Sequence, residues 1–187
     1  MVENWIDTNK YGDGNDKYLC WGAAIANALS FTHLVDASAE DIYDFIRSES
    51  NLQRHWVVAG INAVFRYGFQ RIPPFECFKI LPPPSMWVLN EMEARGGCAI
   101  LCLTDENFQN GHVLTAYATE LHNNFSSDDV RSIDKFIYTD SDDTDEIGEP
   151  FYGLQQMSIE YDVRKKIIKT DYYDMILRYA VLVMPRS

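Results

Sequence analysis

Ala94-Arg95-Gly96-Gly97-Cys98-Ala99-Ile100-Leu101-Cys102-Leu103-Thr104 is where this chain changes its period. Before the two glycines, apolar residues return every three to four positions, as on one face of a helix. After them the spacing drops to about two, as on a strand. A helical first half followed by an antiparallel second half is an α+β pattern. The expected division is a helical half over about 16–97 and a sheet half over about 98–187, within one domain.

Outward toward the N-terminus, Ser85 caps a helix from Met86 to Arg95 that stops at Gly96-Gly97. Residues 70–84 hold Pro73-Pro74 and Pro82-Pro83-Pro84 and read as an extended crossing. A helix is expected from about Gln53 to Tyr67, with Val57, Ile61, Val64 and Phe65 on one face and Gly68 at its stop. Another begins near Ser38, where Ser38 and Asp41 resemble a capping box ahead of Ile42, Phe45 and Ile46. The Ala-rich stretch from Cys20 to about Phe31 reads as a closely packed helix, with Asn15 or Asp16 as its cap. The first fifteen residues read as polar loop.

Toward the C-terminus, strands are expected at Cys98–Thr104, His112–Leu121, Asp134–Thr139, Phe151–Ile159, Lys165–Thr170 and Ile176–Met184, separated by polar, turn-rich loops.

The bulk properties narrow the function. A chain of 187 residues with 47% apolar and 24% charged residues reads as an ordinary globule with room for a full core. A formal charge of −12 argues against nucleic acid or an anionic membrane as partner. No apolar run has the length of a membrane span, and Met1-Val2-Glu3-Asn4-Trp5 does not open a signal peptide. Of the four cysteines, Cys98 and Cys102 stand four apart in a strand, about 13 Å at roughly 3.3 Å per residue, too far for a disulfide. All four, Cys77 included, are expected as thiols, three structural and one reactive.

The reactive one is Cys20. It opens a helix, where the positive end of the helix dipole favours a thiolate, and a nearby protonated histidine would favour it further. Downstream follow Gly111-His112-Val113 at a strand start and Tyr138-Thr139-Asp140-Ser141-Asp142 at a strand end. Taken singly, Cys20 also reads as a buried apolar residue, His112 as a turn-edge histidine, and Asp140 and Asp142 as solvated loop residues. Competing chemistries fit worse. The loop 140–146 lacks the glycine and the bidentate Glu of an EF-hand. Cys98, Cys102, His112 and His122 do not have zinc-ligand spacing, and no Gly-x-Ser-x-Gly elbow occurs. No cofactor or metal is expected.

Cys, His and Asp in this order, with the Cys in a helical half and the others in a β half, resemble the papain-like arrangement, whose site is a cleft between the halves. Papain-like enzymes usually carry Gln six residues before the Cys; here that residue is Gly14. The segment Trp5-Ile6-Asp7-Thr8-Asn9-Lys10, with Leu19-Cys20, closely resembles instead the immunoglobulin G-degrading cysteine endopeptidases of the Mac/IdeS type. Their Lys stands ten residues before the Cys, as Lys10 does. Their His-Val step is matched by His112-Val113. Their Tyr-x-Thr-Asp-Ser-Asp segment is matched by Tyr138-Thr139-Asp140-Ser141-Asp142, with the Tyr one residue closer, followed by Ile147-Gly148.

The resemblance covers about 1–29 and 111–153. It implies a papain-like fold and a cysteine endopeptidase acting on a protein substrate, with the immunoglobulin G hinge one candidate. It further implies Cys20 as nucleophile, His112 as general base and acid, Asp140 orienting His112, Asp142 supporting, and Lys10 with the Cys20 N–H as oxyanion hole. A secreted virulence factor is the corresponding expectation. Two departures stand out: Trp21 replaces a small residue, and the interval between Cys20 and His112 is shorter than in immunoglobulin-cleaving members. The same triad also fits an acyltransferase, a transglutaminase-like enzyme or a deamidase, and a relic site would leave a non-catalytic binding module.

Overall fold

The computed structural model describes residues 19–33, 38–53, 56–69, 77–81, 89–122, 130–141 and 153–185. Three helices come first: α1 (Leu19–His33), α2 (Ala39–Gln53) and α3 (Trp56–Phe69). A short strand β1 (Cys77–Leu81) and a short helix α4 (Leu89–Ala94) follow. Then come β2 (Cys98–Thr104), β3 (Gly111–Leu121), β4 (Ile133–Thr139), β5 (Gln155–Asp162), β6 (Ile167–Thr170) and β7 (Ile176–Met184). The class is α+β, as the change of period predicts. Among the described residues no helix is long and apolar enough to cross a membrane.

All strand pairs are antiparallel, in the order β1-β7-β2-β3-β4-β5-β6. The sheet also closes on itself: β6 pairs with β7 through Ile168 opposite Leu177 and Lys169 opposite Ile176. Six strands therefore form a barrel. β7 gives one edge to β2 and divides the other between β6 at its start and β1 at its end.

Strand alternation builds two cores, because successive side chains point to opposite faces. Ala99, Leu101, Leu103, Leu114, Ala116, Phe136, Met157, Leu177, Ala180 and Leu182 fill the barrel interior. Cys98, Ile100, Cys102, Val113, Tyr117, Val181 and Val183 face the helices and pack on α1. Both faces of β2 are buried, which is why its sequence is an unbroken apolar run.

Glycines let α1 come close to its helical neighbours. A Cβ on Gly60 of α3 would lie 2.4 Å from Cδ2 and Cε2 of Trp21, and one on Gly22 would lie 2.6 Å from the Ala39 carbonyl oxygen. Trp21 is fully buried, so its indole fits a hole that only glycine leaves open.

The ends of the elements follow local chemistry. Ser38 Oγ accepts the Asp41 N–H at 3.2 Å and donates to Glu40 Oε2 at 3.0 Å. Ser38 thus caps α2, with Glu40 as its side-chain partner. After α4, Gly96 takes φ +67°, Gly96 N–H bonds the Glu93 carbonyl at 3.0 Å and Gly97 N–H that of Met92 at 2.9 Å. This is the Schellman stop the Gly-Gly pair predicts.

Four expectations need correction. The extended crossing 70–84 contains β1, which among the described strands is an edge strand paired with β7, so the sheet draws a strand from the helical half. Gly68 lies inside α3, which runs on to Phe69. β5 begins at Gln155 and continues to Asp162. β6 begins at Ile167, because Asp162 Oδ1 accepts the N–H groups of Arg164 and Lys165, both at 3.0 Å, and turns the chain there. The N-terminal loop and the caps expected at Asn15 or Asp16 lie outside the described residues.

Candidate active site

The register brings four element ends to one rim of the barrel. Thr104 at the end of β2 faces both Gly111 at the start of β3 and Ile176 at the start of β7. Thr139 at the end of β4 faces Thr115 of β3. His112 and Asp140 therefore sit on adjacent strands at the same rim. α1 runs along the barrel away from it: Thr115 Oγ1 donates to the Ala24 carbonyl at 3.2 Å, and Cys98 Sγ lies 3.8 Å from that of Ala28. The N-terminus of α1, with Cys20 in its second position, is thereby delivered to His112.

The loop that launches β3 is tightly pinned. Asp105 Oδ1 accepts the Gln109 N–H at 2.8 Å, and Oδ2 accepts the N–H and Nδ2 of Asn110 at 3.0 and 2.9 Å. Arg178 of β7 donates to Thr104 Oγ1 at 2.7 Å and to the Asp105 carbonyl at 2.9 Å, and lies 4.0 Å over the Phe108 ring. His112 thus starts from a fixed backbone.

His112 Nε2 lies 2.7 Å from Asp140 Oδ1. The Cys20 thiol hydrogen-bonds the same imidazole. With Nε2 committed to Asp140, Nδ1 is the nitrogen left for Cys20. All three residues are buried: Cys20 and Asp140 are each 4% exposed, and His112 is 6% exposed. Burial alone would push the imidazole toward its neutral form. The hydrogen bond to Asp140, the hydrogen bond and charge of Cys20, and the charge of Asp140 outweigh it and raise the His112 pKa to about 9. At neutral pH the ring is therefore protonated beside Cys20. Cys102, on the helix-facing side of β2, is pushed up chiefly by burial; the neighbouring Tyr179 hydroxyl lowers it, and the charge of Cys20 raises it further. Among the cysteines with described side chains, then, Cys102 and Cys98 are buried thiols held protonated, and Cys20 is the one beside His112.

Comparison of the chain with protein-family models and with curated proteins finds no match.

A fourth residue completes the cluster and was not legible in the sequence. Tyr172, in the turn between β6 and β7, donates its hydroxyl to Asp140 Oδ2 at 2.6 Å. Its ring stacks on His112 with centroids 5.6 Å apart and planes 5° from parallel. Burial, followed by the Asp140 charge and hydrogen bond, holds its phenol protonated far above the ordinary tyrosine range. An open cavity of about 420 Å³ adjoins Asp140 and Tyr172, with Tyr138, Gln155 and Tyr173 among its walls. Of the other residues that the resemblance points to, Lys10 and Asp142 lie outside the described residues, as does most of the loop 140–146. Among the described residues, no three His, Cys, Asp or Glu side chains gather as a metal site would require.

The raised His112 pKa has a consequence for stability. The folded protein binds this proton more tightly than the unfolded chain, whose histidine titrates near 6.5. The stabilisation is complete below pH about 6.5, and it is lost as pH rises through about 9. Thermal unfolding between pH 6 and pH 9.5 should therefore show a fall in Tm that shrinks in His112→Gln. An equal fall in both proteins would remove His112 as its source.

Proposed function

We propose that this chain is a cysteine endopeptidase of papain-like architecture, with Cys20 as nucleophile, His112 as general acid and base, and Asp140 as the group that orients the imidazole. The observation that carries this reading is the contiguous buried set of Cys20, His112 and Asp140, with the imidazole between thiol and carboxylate. A helical layer that presents a cysteine at a helix N-terminus to the rim of an antiparallel barrel supports the papain-like part of the reading.

The chemistry follows from the charges. The Cys20 thiolate attacks a peptide carbonyl, forming an Sγ–C bond and an oxyanion. The positive end of α1, with the Cys20 N–H in its first turn, suits that oxyanion; Lys10 would add a cation. His112 gives its proton to the departing amine as the C–N bond breaks. The neutral ring then takes a proton from water as hydroxide adds to the thioester, and release of the acid regenerates the thiolate and the protonated ring.

The reading is tested by incubating the protein under reducing conditions with intact immunoglobulin G and, separately, with a mixed protein library, and sequencing new termini by mass spectrometry. Hydrolysis creates free carboxyl termini at the cleaved bonds. Finding none, with Cys20 no more reactive than an ordinary thiol, would sink the proposal. Products retaining an intact backbone but changed side-chain mass would reassign the same triad to acyl transfer or deamidation.

A further inference from the structure

We propose that Tyr172 is a positioning residue of this site: its hydroxyl and ring hold Asp140 and His112 in the arrangement that presents the imidazole to Cys20. The inference rests on the reading of Cys20 and His112 as nucleophile and base, and goes beyond it by giving the β6–β7 turn a part in the chemistry.

The geometry is a two-point hold. Asp140 gives Oδ1 to His112 Nε2 at 2.7 Å and Oδ2 to the Tyr172 hydroxyl at 2.6 Å, so rotation of the carboxylate breaks both bonds. A carboxylate this buried needs both oxygens satisfied, since an unpartnered oxygen on a buried charge carries a large desolvation penalty. The stacked phenol also covers one face of the imidazole, 5.6 Å between centroids, close enough for its π face to favour the protonated ring.

Tyr172 is itself held by the barrel. Met175 N–H bonds its carbonyl at 2.9 Å, and Thr170 N–H bonds that of Met175 at 2.9 Å. Asp171 is tied to Ser158 of β5 in both directions: its N–H reaches the Ser158 carbonyl at 3.1 Å, and its Oδ1 accepts the Ser158 N–H at 2.9 Å. Tyr173 and Asp174 take φ of 47° and 56°, left-handed backbone that non-glycine residues rarely adopt. These bonds hold a strained turn whose product is the placement of one tyrosine. Tyr138 supports it edge-on, with centroids 6.1 Å apart.

The test is the pH dependence of Cys20 alkylation by iodoacetamide, followed by mass spectrometry in the wild type and in Tyr172→Phe, with Tm recorded for both. Phenylalanine keeps the ring and removes only the hydroxyl. Asp140 Oδ2 then loses the phenol hydrogen bond, the hold on the carboxylate weakens, and His112 loses part of the support of its counter-charge. The high-pH limb of the profile, where the imidazolium is lost, should move down by about one pH unit, with Tm lower by several degrees but the protein folded at the assay temperature. In an Asp140→Asn background the further change Tyr172→Phe should have no effect on that limb. A Tyr172→Phe profile superimposable on the wild type, or an equal shift in the Asp140→Asn background, overturns the proposal. A wild-type Cys20 that reacts no faster than a free thiol instead overturns the reading of the site beneath it. A second readout needs no substitution: the Tyr172 phenol proton in the wild type should appear as a downfield, slowly exchanging NMR signal that moves with the His112 titration. A rapidly exchanging phenol proton there would equally defeat the proposal.

Discussion

A Cys20→Ala protein should release no new termini from any substrate, and His112→Ala should slow alkylation of Cys20 near pH 6.5 by roughly a hundredfold. The first follows because no other cysteine with a described side chain combines an ionised partner with a helix N-terminus; Cys98 and Cys102 are buried and held protonated. The second follows from the thiolate fraction. A cysteine with an ordinary pKa near 8.5 is about one per cent ionised at pH 6.5, whereas one paired with an imidazolium is almost fully ionised. His112 supplies that imidazolium, since its pKa of about 9 keeps it charged throughout this range. On the proposed mechanism turnover should fall further, by about 10²–10⁴, because there the same ring delivers the proton to the leaving amine. Iodoacetamide suits the measurement because Cys20 is only 4% exposed and a small reagent is needed. An unchanged alkylation rate in His112→Ala would mean that the ring does not activate the thiol.

Trp21→Ala should cost about 3–5 kcal/mol of stability, a large share of what holds a domain of this size together. Trp21 is fully buried between α1 and α3, and Gly60 leaves the space its indole occupies. Alanine leaves an apolar cavity that backbone packing on both sides keeps from collapsing. At this chain length the loss corresponds to roughly 10 °C in Tm. Gly60→Ala attacks the same contact from the other side, placing a methyl where the indole already stands, and should also destabilise. The double variant Trp21→Phe with Gly60→Ala should lose less than the sum of the two single changes, because the smaller ring makes room for the methyl. Additive losses by calorimetry would show that the two residues do not share one packing site. Trp21 follows Cys20 directly, so Cys20 reactivity should fall in step with the folded fraction.

Most elements could be read locally because each carries its own signal. The apolar run of β2, the patterning of β3 and β7, the Ser38 cap and the Gly96-Gly97 stop depend on residues within a few positions of one another. Cys20, His112 and Asp140 stood out because each lies at an element boundary, and a rim is where boundaries meet. β1 did not, because the prolines on either side dominate the pattern and its partner, β7, lies far along the chain. Tyr172 was invisible for a related reason. Asp171-Tyr172-Tyr173-Asp174 looks like an ordinary polar turn, and its link to Asp140 exists only once β6 meets β7. Lone residues in turns acquire a role through closure of the sheet, which no local spacing encodes.

The shared edge of β7 also sets a schedule. Residues 176–184 join β1, β2 and β6 at once, and they come after Cys20, His112, Asp140 and Tyr172 in the chain. While a ribosome is still adding these residues, the barrel stays open, Tyr172 has no seat on Asp140, and the thiol lacks its finished charge environment. On the proposed reading, peptide-bond cleavage becomes available only after synthesis has passed this strand.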